Sequence, residues 1–370
     1  MTKAVEQEGH PFYALPVTSS LRHLFTWSAM PANLSPEYKA AEATFRKARE
    51  PRERLDGLRE MLRTIPKHKG TDHLQADIKS RIKELSEEVE APKKGGAARS
   101  GPPLVIRPQG AAQLALIGPP NSGKSALHKR LTGSHAQVAP YPFTTQFPEP
   151  GMMPYEDVYF ELVDLPAVSP DHPVPWLAGT LQTADACLLV VDLGEPACVE
   201  QVQALHSVLR AKRVTLTDRW AGETTAPASA DANDDPFAIK LPALMLANKA
   251  DLVADEASEV EVFRELTGFK YPALTVSAET GRGLGEVGAW LLGHLGIVRV
   301  YTKTPGKPAE KDRPFTLRRG QTVEDAARLV HKDLAHSLKF ARVWSKTGIP
   351  GQHVGREHPL LDGDIVELHT

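Results

Sequence analysis

The residues most able to do chemistry lie in the string GPPNSGKS, Gly118 to Ser125. It fits the spacing G-x-x-x-x-G-K-[ST], and it falls between an apolar run, Leu114 to Ile117, and a helical run ending near Leu131. In that setting glycines let backbone N–H groups turn inward, and the following helix adds the positive end of its dipole, so both point at phosphate oxygens. Lys124 is placed to neutralise the outer phosphate oxygens, and Ser125 to offer its hydroxyl to Mg2+. Gly118, Pro119, Pro120, Asn121, Ser122, Gly123 and Ala126 complete the anion cradle.

A loop of this kind serves adenine and guanine nucleotides alike, so the base needs a second reader. NKAD, Asn248 to Asp251, closes the apolar run Ala243 to Ala247 and lies at the same carboxyl edge of the sheet that such runs would form. With Asn248 and Lys249 beside it, Asp251 can accept two hydrogen bonds from the ring N–H and the exocyclic amine of guanine, whereas adenine would leave a buried carboxylate unpaired. After the run Ala273 to Val276, the loop Ser277, Ala278 and Glu279 brings a backbone N–H toward the guanine O6. Asp164, at the end of Val158 to Val163, is placed to hold the metal through water. Thr144 and Thr145, in YPFTTQFPEPG, offer hydroxyls to Mg2+ in the triphosphate state. Ser125, Thr145 and Asp164 thus form the expected metal set, and Lys124, Thr145 and Asp164 the expected catalytic set.

The elements that must position these residues follow from periodicity. Between Leu114 and Val276, short β-rich runs, including Ala186 to Val191, alternate with helical segments, which predicts an α/β, P-loop domain with a mostly parallel sheet and helices on both faces. Upstream, Ser35 and Pro36 read as a helix start running toward Arg49. Leu55, Leu58, Met61, Leu62 and Ile65, then Leu74, Ile78, Ile82 and Leu85, recur at helical spacing on either side of the basic turn Lys67 to Gly70, which predicts a helical hairpin. From Val298 onward, short strands and one helix near Thr322 predict a small α+β unit. The expected organisation is an irregular segment at 1–33, the hairpin at 34–90, a Pro/Gly/Ala-rich linker at 91–113, the nucleotide domain at 114–296 and the small unit at 298–370, with a surface insertion between Gly222 and Asp235.

Composition narrows the classes. The chain has 370 residues, 44 Lys and Arg against 46 Asp and Glu, and a formal net charge of -2, so no global basic field holds nucleic acid. Cys187 and Cys198 supply neither a disulfide framework nor a zinc site, and scattered histidines suggest no metal centre. Cys187 and Trp344 read as core residues of strands. The opening residues lack a secretory pattern, and no apolar run approaches the roughly 20 residues a membrane span needs. A cytoplasmic protein with no membrane contact is expected. The basic turn at Lys67 and the pair Lys93 and Lys94 suit either RNA phosphates or a solvated face beside Glu87, Glu88 and Glu90.

With these residues in view, 114–296 resembles the G domain of Obg/DRG-type GTPases of the translation-factor-related class, through GPPNSGKS, YPFTT with Pro148 and Gly151 after it, and NKAD. Residues 298–370, ending DGDIVELH, are similar to a TGS domain, a β-grasp module. Within these residues neither a glycine-rich amino-terminal domain like that of Obg nor, between Asp164 and Asp192, room for the extra domain that DRG proteins insert is expected. The resemblance implies a GTP-hydrolysing switch that binds GTP or GDP with Mg2+ and works with the ribosome or another RNA-containing translation assembly. It also implies, through Asn121, a potassium ion beside the phosphates.

Two departures stand out. The family's D-x-P-G is DLPA here, Asp164 to Ala167: Ala167 keeps an N–H that could reach the γ-phosphate but loses glycine's freedom at positive φ. Val168 stands where many small GTPases carry a water-orienting glutamine, which implies slow intrinsic hydrolysis. Ala167 motivates an alternative, a guanine-nucleotide-dependent scaffold or sensor that barely hydrolyses. An adenylate-using P-loop enzyme would require Asp251 to have no part in reading the base.

Overall fold

The computed structural model describes residues 34–48, 51–90, 106–133, 146–222 and 235–370. Expectations for 1–33, for Thr144 and Thr145, and for most of the Gly222 to Asp235 insertion lie outside the described residues. The chain divides into two units, Met1–Ala91 and Pro92–Thr370.

In the first unit the helices are α1 (Pro36–Lys47), α2 (Pro51–Thr64) and α3 (Asp72–Glu90). Ser35 caps α1 by accepting from the Tyr38 N–H at 3.1 Å, and its hydroxyl donates to the Thr64 carbonyl at 3.2 Å, which ties the start of α1 to the end of α2. Tyr38, Phe45, Leu58, Met61 and Ile78 are buried in the seams. The helix read toward Arg49 therefore does not stand apart from a hairpin: α1 packs on α2 and α2 on α3. Between α2 and α3, buried Thr71 anchors the turn by donating to the Pro66 carbonyl at 2.5 Å.

The second unit begins with a mixed sheet of β1 (Ala112–Ile117), β2 (Glu149–Tyr155), β3 (Val158–Asp164), β4 (Ala186–Asp192), β5 (Val214–Thr217), β6 (Ile239–Asn248) and β7 (Ala273–Thr275). Strand order is β2-β3-β1-β4-β6; the early part of β6 pairs with β5 and the late part with β7, and β2 is the antiparallel member. Alternation sorts the strand residues between two cores. Ala115, Ile117, Cys187, Leu189 and Val191 face one, covered by α5 (Leu177–Leu181), α6 (Cys198–Ala211) and α7 (Glu256–Thr267). Leu114, Leu116, Leu188 and Val190 face the other, covered by α4 (Lys124–Thr132) and α8 (Leu284–His294). A sheet buried on both faces explains why these strands read as continuous apolar runs. Residues 106–111, expected in the linker, lie against this domain: Ile106 joins one core, Ala111 the other, and the Gln109 N–H donates to buried Glu161 at 2.9 Å.

A second sheet, ordered β11-β10-β12-β8-β9, comprises β8 (Ile297–Lys303), β9 (Ala309–Arg318), β10 (Phe340–Trp344), β11 (Gln352–Val354) and β12 (Asp364–His369). Helices α9 (Val323–Val330) and α10 (Lys332–Ser337) accompany it, with Val300, Leu317, Val323, Ala327, Val343 and Val366 in its core. Ile297 belongs to the core of the first sheet and Val298 to that of the second, so β8 joins the two. Ion pairs fasten the junction. Arg299 reaches Glu156 at 2.5 Å and Asp157 at 3.0 Å on the β2–β3 turn, and Asp362 at 2.8 Å within its own domain; Arg318 pairs with Asp185 at 3.0 Å. The expected core role of Trp344 is corrected: it is half-buried, with the Lys303 ammonium 4.1 Å from its ring centroid. Cys187 is fully buried, and burial pushes its thiol well above the usual range. No helix among the described residues is long and apolar enough to cross a membrane.

Candidate functional site

Strand β1 ends at Ile117 and the chain loops from Gly118 into α4, whose first residue is Lys124. Gly123 has φ 91, and a Cβ there would lie 2.1 Å from the Asn248 amide nitrogen, so only glycine allows this turn and this approach. Asn121 also takes a left-handed conformation, at φ 61, and is exposed at the mouth of the loop. Inside the loop, the Pro119 carbonyl accepts from Ser122 Oγ at 3.0 Å and from Lys124 Nζ at 2.9 Å. Lys124 is buried, and desolvation pushes its ammonium down to about 8, with the Asp164 carboxylate pulling in the opposite direction.

Two of the three residues expected to hold Mg2+, Ser125 and Asp164, are adjacent. Ser125 Oγ donates to Asp164 Oδ2 at 2.5 Å, and Asp164 is 1% exposed at the end of β3. A hydroxyl and a carboxylate converging beside a phosphate loop make an all-oxygen donor set, which fits a hard divalent cation. Among the described residues no group of His, Cys, Asp and Glu side chains forms a cluster that would hold a metal ion by itself. Thr144 and Thr145 lie outside the described residues.

The segment after Asp164 turns inward. Leu165 donates its N–H to the Leu116 carbonyl and Val168 its N–H to the Gly118 carbonyl, both at 3.3 Å. Leu165 and Val168 join an apolar core, and Ala167 is 6% exposed. Ala167 is absent from the non-glycine residues with positive φ, in keeping with its side chain.

The NKAD string is wired to both neighbouring loops. Asn248, 2% exposed at the end of β6, donates from Nδ2 to the Ser122 carbonyl at 2.9 Å and accepts at Oδ1 from the Ala278 N–H at 3.1 Å. The Ala278 N–H, expected to face a base oxygen, therefore holds Asn248 in this structure. Ser277 is buried; its hydroxyl accepts from the Thr280 N–H at 3.0 Å, which shapes the loop, while Glu279 is exposed. Ala250 is tied to the Val276 carbonyl at 3.1 Å. Asp251 lies in a short 3-10 turn, Ala250–Leu252, and is exposed, so the expectation of a buried carboxylate is corrected: its place is the rim. Lys249 pairs with Asp192 at 2.6 Å, a partner the sequence reading did not single out. The signal was available, since Asp192 immediately follows the run Ala186 to Val191 and so closes a strand at the same edge.

The fold and this arrangement of loops define a P-loop GTPase domain followed by a β-grasp domain, and comparison with known proteins agrees. A family described as 50S ribosome-binding GTPase matches residues 113–220, and the TGS domain family matches residues 298–370. An uncharacterized GTP-binding protein of Methanocaldococcus jannaschii is 27% identical over 365 residues, covering 85% of this chain and 92% of that protein. Developmentally-regulated GTP-binding protein 1 of Xenopus laevis is 26% identical over 359 residues, covering 84% of this chain and 96% of that one. The solved structure of the Schizosaccharomyces pombe YchF GTPase aligns at 14% identity with a TM-score of 0.48, covering 72% of this chain and 100% of that chain. The chain thus carries a P-loop GTPase domain followed by a carboxyl-terminal TGS domain, and the relatives it resembles include GTP-binding proteins of the developmentally-regulated type.

Proposed function

We propose that the protein is a slow GTP-hydrolysing switch that docks on the ribosome or another RNA-containing translation assembly and works in the cytoplasm. The observation that carries the nucleotide part is Asn248, whose one amide joins the phosphate loop at Ser122 to the base-side loop at Ala278. Phosphate and purine are then read by loops that cannot shift independently. Lys124 and the loop amides bind and orient the phosphates, Asp251 reads guanine from the rim, and Ser125 and Asp164, with Thr145, would hold Mg2+. Bound there, Mg2+ would neutralise charge between the outer phosphates. The Ala167 N–H is the γ-phosphate sensor in this reading. Slow turnover follows from Val168, whose apolar side chain is buried where a water-orienting group would be needed. Asn121, exposed beside the loop, suits a potassium ion; GTP turnover should be faster in potassium than in sodium buffer, and equal rates would remove that part.

The ribosomal partner is supported by the family description that 113–220 match and by the TGS module. Co-sedimentation with ribosomes in GDP and in a non-hydrolysable GTP analogue tests it: nucleotide-dependent pelleting is expected, and no pelleting in either state would reject it. The burial of Ala167 and Val168 also favours a second reading, a nucleotide-dependent scaffold with little hydrolysis. Single-turnover assays separate the two, because ribosomes should accelerate a switch and leave a scaffold's rate flat.

A further inference from the structure

We propose that Asp192, the last residue of β4, is a positioning residue for guanine recognition: by holding Lys249 it fixes the turn that carries Asp251 to the base. This rests on the guanine-nucleotide reading above and assigns a part to a residue outside the recognised loops.

Lys249 is a non-glycine residue at φ 61, in the left-handed region. That conformation is unfavourable for a side-chain-bearing residue and persists where the surroundings over-determine it. Three of the surrounding constraints act on the backbone of Lys249 or on its neighbours. Asn248 is fixed to Ser122 and Ala278, Ala250 to the Val276 carbonyl at 3.1 Å, and the Leu252 N–H to the Lys249 carbonyl at 2.9 Å. The constraint on the Lys249 side chain itself is Asp192, 2.6 Å from its ammonium.

Asp192 is built to hold still. It stands directly opposite Asn248 in the parallel register of β4 and β6, and its side chain is only 14% exposed. Its Oδ1 accepts the Gly194 N–H at 3.0 Å, so the backbone orients one carboxylate oxygen while Oδ2 meets the lysine. The pair therefore spans from the end of one strand to the turn after the next. Asp251 follows two residues beyond Lys249 and is exposed, so its direction is set by that turn. Releasing Lys249 frees the turn to relax toward negative φ, and Asp251 would swing relative to a phosphate loop that stays put.

The test uses Asp192→Asn in the full chain. Asparagine keeps an oxygen for the Gly194 N–H and loses the ionic hold on Lys249; Lys249→Met removes the same hold from the other side. The probes are GDP and IDP with Mg2+, titrated by calorimetry. IDP lacks the exocyclic amine and so has one donor fewer for Asp251. With Asp251 misdirected, GDP affinity should fall about tenfold, the scale of one hydrogen bond to a charged group, while IDP falls much less, so the preference for GDP over IDP collapses. A purely structural role would lower both affinities in proportion. Unchanged affinities, or a proportional fall with the preference intact in both variants, would overturn the assignment. If the unmodified protein took up neither nucleotide, the underlying guanine reading would fail instead, which is a distinguishable result.

Discussion

Removing the Asn248 side chain should weaken nucleotide binding more than its distance from the phosphates suggests. Asn248→Ala deletes the donor to the Ser122 carbonyl at 2.9 Å and the acceptor for the Ala278 N–H at 3.1 Å, and Asn248 is 2% exposed, so water does not readily replace it. Each buried polar group left without a partner costs about 1–3 kcal/mol. Ala278 is half-buried and recovers part of its share, which leaves a total of about 2–4 kcal/mol. Spread over binding, that is a loss of about 30- to 1,000-fold in affinity. Asn248→Asp separates the two bonds. It keeps an acceptor for Ala278 but sets a carboxylate against the Ser122 carbonyl, so it should be at least as damaging as alanine. Titration with a fluorescent GDP analogue, alongside thermal melting of the nucleotide-free protein, reads both effects. Binding within about threefold of the unmodified protein in both variants would refute the claim that this amide locks phosphate and base loops together.

Lys124 makes binding sensitive to pH. Its folded value, about 8, lies below the ordinary lysine value of 10.5, so between these the unfolded chain keeps a proton that the folded chain has lost. The nucleotide-free protein should therefore become more stable as pH rises through that window, in the absence of other titrations. Phosphate binding favours the charged form, so at about pH 8.5 GTP binding should take up protons and its heat should vary with the buffer; a buffer-independent heat would contradict this. Arg299→Ala should loosen the TGS domain from the β2–β3 turn. Its side chain is 16% exposed and faces carboxylates that are partly solvated, so a loss of about 1–3 kcal/mol is expected, read as a lower melting temperature and faster proteolysis near the junction. An unchanged melting curve would show that the junction is held by other contacts.

Local chemistry explains which parts were legible in the sequence. The phosphate loop was, because its function depends on residues within one short string, and Lys124, Ser125 and Asn248 sit at the loop edge that their strands predict. The apolar runs of β1, β3, β4 and β6 were legible because a sheet covered on both faces has no polar side. Strand β2 was not: Pro150, Gly151 and Pro154 break the β pattern, and only an edge strand paired on one side tolerates them. The pairing of Asp192 with Lys249 joins residues separated by a whole crossover, so no periodicity announces it. The exposure of Asp251 was likewise hidden, because it depends on how the short turn after Lys249 opens toward the rim. Trp344 reads as core because its neighbours Ala341 and Val343 suggest a strand, yet it lies on the face of β10 opposite those two, against Lys303.

Recognition of guanine beside the phosphate loop is tested most directly by calorimetric titration of the full chain with GTP and with ATP in the presence of Mg2+. GTP should bind at least about a hundredfold more tightly, because the rim carboxylate of Asp251 finds two donors on guanine and none in the same place on adenine. Comparable affinities for the two nucleotides, or no uptake of GTP, would contradict the account.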